Sequence, residues 1–104
     1  MRSFWYALME WSLMTFGSDE KRGPTGPLKH LAKEVEETLA APNDLEEYAD
    51  CVFLIFDAAW RAGFTYSELE NKLWWKLEKN RAREWNTSAL PDEPVEHIRE
   101  ALEK

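Results

Sequence analysis

Two pairs of carboxylates carry the chemistry open to this sequence. Glu34 and Glu37 stand three residues apart in KEVEETLA, and Glu47 and Asp50 stand three apart in LEEYADCV. On a helix that spacing sets both members of a pair on one face, with Cβ atoms roughly 5–6 Å apart. Between the pairs lies Ala40-Ala41-Pro42-Asn43, where Pro42 lacks an N–H and biases Ala41 away from the helical region. Asn43 is then placed to cap the next helix, with Asp44, Glu46 and Glu47 complementing the dipole of its first turn. So short a connection makes the two helices antiparallel neighbours. Counted outward from Pro42, Glu37 lies as far back as Glu47 lies forward, and Glu34 matches Asp50. The four carboxylates therefore stand level across a hairpin, where they repel unless a cation lies among them. An all-oxygen set suits a hard cation: Mg²⁺, which completes its shell with water and substrate phosphates, or Mn²⁺ in its place.

The helices that must hold these groups differ in character. In the second, Glu47, Asp50, Asp57 and Arg61 fall in one narrow stripe at about 100° per residue, interrupted only by Leu54. Nearly everything else from Tyr48 to Trp60 is apolar, which marks the central helix of a bundle. It is expected over Asp44 to Ala62, with Gly63 ending it. The preceding helix is expected from Pro27 to Ala40. There Leu28, Leu31, Ala32, Val35 and Leu39 form the predicted core stripe, and His30, Glu34 and Glu37 lie opposite. Charges lie opposite the core on any amphipathic helix, so spacing alone leaves a solvated acidic face as the plain alternative.

The chain has 104 residues, a hydrophobic fraction of 44% and a charged fraction of 32%, the profile of a single soluble globular domain. Its formal charge of -7 argues against general binding to nucleic acid or anionic membranes. The one cysteine, Cys51, lies in the apolar run and reads as a buried thiol in a reducing, cytoplasmic setting. RSFWYALMEWSLMTF is interrupted by Glu10 and makes a poor signal peptide. The run from Cys51 to Trp60 falls far short of the ~20 residues that span a bilayer. A chain this short buries a modest share of its surface, and its six Trp supply apolar area for subunit contact.

Before the hairpin, residues 3–15 are expected to form a helix with an aromatic face built from Phe4, Trp5, Leu8, Trp11 and Met14. FGSDEKRGPTGP follows, a glycine- and proline-rich loop that carries Lys21 and Arg22 and matches no Walker-type phosphate loop. After the hairpin, Thr65-Tyr66-Ser67-Glu68 is a capping box opening a fourth helix. Tyr66, Leu69, Leu73 and Leu77 are its predicted core stripe. On another face Lys72, Lys76, Lys79 and Arg83, with Asn80 beside them, make a basic stripe suited to a triphosphate tail or simply to solvent. Beyond Trp85 the chain passes Pro91 and Pro94, and a short charged helix is expected from Val95 on, with His97 exposed.

KEVEE, LEEYADCVFLIFDAAWRAG and KLEKNRAREW together resemble the MazG-like all-α nucleoside triphosphate pyrophosphohydrolases, whose pattern is Glu-Glu-x-x-Glu on one helix and Glu-x-x-Asp on the next. The resemblance covers about residues 15–85 and is nearest to the short, phage-type dATP/dGTP pyrophosphohydrolases. It implies an antiparallel bundle of about four core helices plus a short C-terminal helix, assembled as a dimer or tetramer. It implies Mg²⁺-dependent cleavage between the α- and β-phosphates of a deoxynucleoside triphosphate, giving the monophosphate and pyrophosphate. Glu34 and Glu37 match the second and third glutamates of the first motif, and Glu47 and Asp50 match the second motif. Lys33 stands where the pattern often has its first glutamate, and the interval between Glu37 and Glu47 is short for the family. Lys76, Asn80 and Arg83 resemble the family's downstream substrate contacts.

On this reading Glu34, Glu37, Glu47 and Asp50 hold the metal, and Glu34 or Glu37 orients or deprotonates the attacking water. Lys76, Lys79 and Arg83 stabilise the departing pyrophosphate. Asp57 and His30 lie on the same faces as substrate-binding candidates, and Trp11, Phe16 or Trp60 can stack the base. The rivals are a non-catalytic helical adaptor that binds a partner through its acidic faces and a metal-dependent enzyme on another phosphorylated substrate. The second class includes a same-fold pyrophosphohydrolase for pyrimidine deoxynucleotides or phosphoribosyl-ATP, and a phosphodiesterase.

Overall fold

The computed structural model describes residues 1–98 and forms two compact units, Met1–Leu69 and Glu70–Lys104. Four α-helices carry the chain, in the order α1 (Arg2–Phe16), α2 (Thr25–Ala40), α3 (Leu45–Arg61) and α4 (Tyr66–Arg81). Among the described residues there is no strand, only an isolated bridge between Trp85 and His97, so the fold is all-α as expected. No described helix is long and apolar enough to cross a membrane.

In the first unit α3 is the central element, packing against both α1 and α2. Its start is capped by Asp44 rather than Asn43: Asp44 is extended, and its carboxylate accepts from the Glu46 N–H at 3.0 Å. The shift arises because the turn needs residues 41–43 to reverse direction, closed by Asp44 N–H donating to Ala41 O at 3.1 Å. At the other end Gly63 takes φ +96°, with Gly63 N–H donating to Trp60 O and Phe64 N–H to Ala59 O. That pair of bonds is a Schellman ending, which asks for glycine at the left-handed position.

Trp5 and Leu8 of α1, Phe56 and Trp60 of α3, and Tyr66 at the start of α4 make the core. Trp5 meets Phe56 at a ring separation of 5.2 Å and Tyr66 edge-on at 5.8 Å. The buried face of α1 is Trp5, Leu8 and Ser12; of the rest of the expected aromatic face, Phe4 and Trp11 stay partly exposed while their rings meet Phe53, and Met14 is exposed. Ser12 is held on the buried face by its hydroxyl, which donates to the Asp57 carboxylate at 2.7 Å.

The expected orientation of α2 is corrected. Leu28, Val35 and Leu39, predicted as core, are exposed, Leu39 at 70%, while the Glu34 side chain is only 12% exposed. The helix turns its acidic face to α3 because Thr38 fits there: its hydroxyl contacts Glu34 O at 2.7 Å, Glu47 O at 3.4 Å and the Cys51 thiol at 3.4 Å. Helix α2 also begins two residues before Pro27, leaving the proline in the first turn where its missing N–H has no intrahelical partner to lose.

The Thr65–Glu68 capping box forms as predicted, Thr65 N–H donating to Glu68 Oε1 at 3.0 Å and Glu68 N–H to Thr65 Oγ1 at 3.2 Å. Tyr66 is buried and Leu69 half-buried, but Leu73 and Leu77 of the predicted core stripe are exposed. In the second unit no helix begins at Val95 among the described residues. Instead Asn86 N–H donates to Glu96 O at 2.8 Å and Ile98 N–H to Glu84 O at 2.7 Å, pairing two extended segments. His97, expected exposed, is half-buried with its ring edge-on to Trp85 at 5.8 Å. The remainder of the expected C-terminal helix lies outside the described residues.

Candidate active site

The α2–α3 hairpin brings carboxylate oxygens of Glu34, Glu37 and Glu47 within 4.8 Å of one another. Asp50 stands one turn further along α3, close enough that its charge acts on both Glu34 and Glu47. Glu34 is held above the ordinary glutamate range, first by the hydrogen bond it shares with the Glu37 carboxyl, then by burial and the charges of Glu37 and Asp50; His30 opposes the rise. Burial lifts Glu47 in the same direction, helped by Glu37, Asp44, Asp50 and Glu46. His30 Nε2 lies 3.2 Å from Glu34 Oε1.

Two oxygens in this cluster are buried without a hydrogen-bond donor, Glu34 Oε2 and Glu47 Oε2. Buried carboxylate oxygens normally find a partner. An all-oxygen cluster with two orphaned acceptors fits a divalent hard cation, Mg²⁺ or Mn²⁺.

A cavity of about 600 Å³ opens beside the cluster, with Glu34, Asp50 and His30 in its wall. That volume lies in the range of small-molecule sites. Aromatic rings of Trp11, Phe16 and Phe53 line it too, Trp11 meeting both Phe16 and Phe53 edge-on at 5.4 Å. Its cations are Lys21, Arg22 and Arg61. Carboxylates, an aromatic wall and cations around one space match the parts of a metal-chelated nucleotide.

Behind the cavity lies a buried network. Asp57 Oδ1 accepts from Ser12 Oγ at 2.7 Å, Trp60 Nε1 at 2.8 Å and Arg61 Nε at 3.4 Å. The Asp57 side chain, proposed from the sequence for substrate, is thus committed to protein donors while forming part of the wall. Trp60, the third stacking candidate, is buried in the core and is not part of that wall.

Lys76, Lys79, Asn80 and Arg83 belong to the second unit. There Arg83 Nη1 donates to Asn80 Oδ1 at 3.3 Å, and the ammonium groups of Lys72 and Lys79 lie 4.7 and 4.9 Å from the Trp75 ring centroid. Part of the basic stripe is therefore spent on an exposed indole. Sequence reasoning assigned no site role to Ser12 or Arg61. The available signal was Arg61 one turn after Asp57 inside an apolar run, since a charge there needs a buried partner.

The all-α fold is that of the MazG-like pyrophosphohydrolases, and a solved member is similar throughout. The MazG-like pyrophosphohydrolase of cyanophage S-2L, bound to dGDP and three catalytic Mn²⁺ ions per active site, matches with a TM-score of 0.73 at 26% identity, over 93% of this chain and 95% of its own. The chain belongs to the dATP/dGTP pyrophosphohydrolase family, whose profile matches residues 5–104. It is also 44% identical over 94 residues to the Eaa protein of Salmonella phage P22, covering 90% of this chain and 28% of that longer relative.

Proposed function

We propose that the chain is a metal-dependent pyrophosphohydrolase of purine deoxynucleoside triphosphates, dATP or dGTP. The observation that carries this is the carboxylate cluster with orphaned oxygens on Glu34 and Glu47, opening on a cavity lined by aromatic rings and cations. Water attacks the α-phosphorus, the bond from that phosphorus to the bridging oxygen breaks, and pyrophosphate leaves with the nucleoside monophosphate as the other product. Glu34, Glu37 and Glu47, with Asp50 one turn away, would hold Mg²⁺ or Mn²⁺. Such a cation neutralises phosphate charge and makes a water molecule easier to deprotonate.

The residues divide the remaining work. Glu37 is exposed and its carboxylate lies beside those of Glu34 and Glu47, which supports a role for it in orienting the attacking water and taking its proton. Trp11 and Phe16 stack the base, and Lys21 and Arg22 meet the phosphates. The family resemblance implies substrate contacts for Lys76, Asn80 and Arg83, the basic stripe adds Lys79 as a candidate, and single replacements test each. A homo-oligomer, dimer or tetramer, is part of the same reading, supported by the exposed apolar stripe of α2.

The test is product analysis of dATP, dGTP, dCTP and dUTP with Mg²⁺, with Mn²⁺ and with chelator. Monophosphate and pyrophosphate, released only with metal and fastest from the purines, is the expected result. Glu47→Ala and Asp50→Ala should abolish turnover with helical content intact. Full activity in either variant overturns the site.

A further inference from the structure

We propose that Arg61 is a positioning residue that holds the loop of residues 17–24 in the shape presenting Lys21 and Arg22 to the cavity. The inference rests on the proposed nucleotide site, because those two cations matter only if phosphate binds there. Its geometry stands independently of that reading.

The Arg61 side chain is 1% exposed, and all three guanidinium nitrogens donate to protein. Were Arg61 present only to neutralise Asp57, its shortest bond would be to that carboxylate. Instead Nε reaches Asp57 Oδ1 at 3.4 Å, while Nη2 donates to Ser12 Oγ at 2.8 Å and Nη1 to Arg22 O at 3.0 Å. Longer bonds from Nη2 reach Gly17 O at 3.3 Å and Ser12 O at 3.2 Å. One planar fork therefore grips the end of α1 and both ends of the loop.

The loop between those grips needs holding. It has glycines at 17 and 23 and no regular structure beyond one turn, closed by Lys21 and Arg22 N–H groups donating to Ser18 O at 3.0 and 3.1 Å. Gly17 sits at φ +98°, ψ -178°, a region open essentially to glycine alone. The Arg22 side chain returns through Nε to Phe16 O at 2.9 Å. Asp57 and Ser12 aim the fork: Asp57 is fixed by the Ser12 hydroxyl and the Trp60 indole, and the Trp60 ring supports the guanidinium at 4.4 Å. Lysine cannot replace this function, because a single ammonium lacks the fork that reaches several segments at once.

The experiment compares the full chain with Arg61→Lys and Ser12→Ala by amide hydrogen exchange, far-UV circular dichroism and steady-state hydrolysis of dGTP. In Arg61→Lys, exchange at the Lys21 and Arg22 amides should quicken about tenfold. Exchange in the α2–α3 hairpin should hold, and KM should rise with kcat little changed. Ser12→Ala should move the same quantities less. Unchanged loop exchange in a folded Arg61→Lys protein overturns the proposal, and so does exchange that quickens equally in every helix. If the unmodified protein turns over no triphosphate, the nucleotide reading fails, and loop exchange alone still decides whether Arg61 is the tether.

Discussion

Removing the Asp57 carboxylate should be among the most damaging single changes in the first unit. Asp57→Ala leaves the guanidinium of Arg61, 1% exposed, without its counter-charge, and it strips the acceptor from the Ser12 hydroxyl and the Trp60 indole. Losing one partner of a buried ion pair costs about 3–5 kcal/mol. Arg61→Met should cost a similar amount, because the buried carboxylate is then the unpaired charge. The double variant removes both charges, so its cost should fall short of the sum by about 2 kcal/mol, within the range seen for contacting residues. Urea unfolding followed by far-UV circular dichroism gives the four free energies, with one stabilising osmolyte common to all so that the weakest variant still folds. Costs that add to within about 0.5 kcal/mol would show that Asp57 and Arg61 act independently and refute the reasoning.

Three further outcomes are expected. Glu34 and Glu47 are raised above the ordinary glutamate value of 4.5, so the folded chain binds more protons than the unfolded one near that pH. Metal-free stability should therefore fall as pH rises through and above this value, and Mn²⁺ should restore it; thermal scans from acid to neutral pH, with chelator and with Mn²⁺, would show a flat chelator curve if the cluster were relaxed. Trp11→Ala should raise KM for dATP and dGTP about tenfold or more, because base–aromatic stacking is worth about 1–3 kcal/mol; an unchanged KM removes Trp11 from the base site. Thr38→Val keeps the shape but loses the hydroxyl contacts to Glu34 O and Glu47 O, so unfolding should become easier by about 1 kcal/mol, and a neutral result would leave the hairpin held by packing alone.

The helices and the approach of Glu34 and Glu37 to Glu47 across the turn are legible in the sequence because they depend on short-range rules. Proline breaks a helix, a short turn reverses it, and carboxylates at matched distances from the turn then face each other. Which face of α2 turns inward is not legible. Amphipathic periodicity places Leu28, Leu31, Val35 and Leu39 in the core, whereas in this chain only Leu31 of these is half-buried, alongside Pro27, Glu34 and Thr38. Periodicity identifies the apolar side but not what covers it. Ser12 was hidden for another reason: its partner Asp57 lies 45 residues away, and no local pattern signals so distant a hydrogen bond. The pairing of residues 84–86 with 96–98 was missed because the charged composition after Pro94 favours helix only when tertiary contacts are ignored.

The two halves of the candidate site differ in how far apart along the chain their parts lie, and this sets the order in which they assemble. The clustered carboxylates sit on neighbouring helices joined by a turn over residues 41–44. Contacts so close in sequence close quickly, because little loop entropy opposes them. The aromatic wall and the Asp57 network need α1 to return across the chain, a slower closure. During folding, the acidic hairpin should therefore form before the cavity does. Its repelling carboxylates make it the step most sensitive to divalent cations, so metal should accelerate folding as well as support turnover.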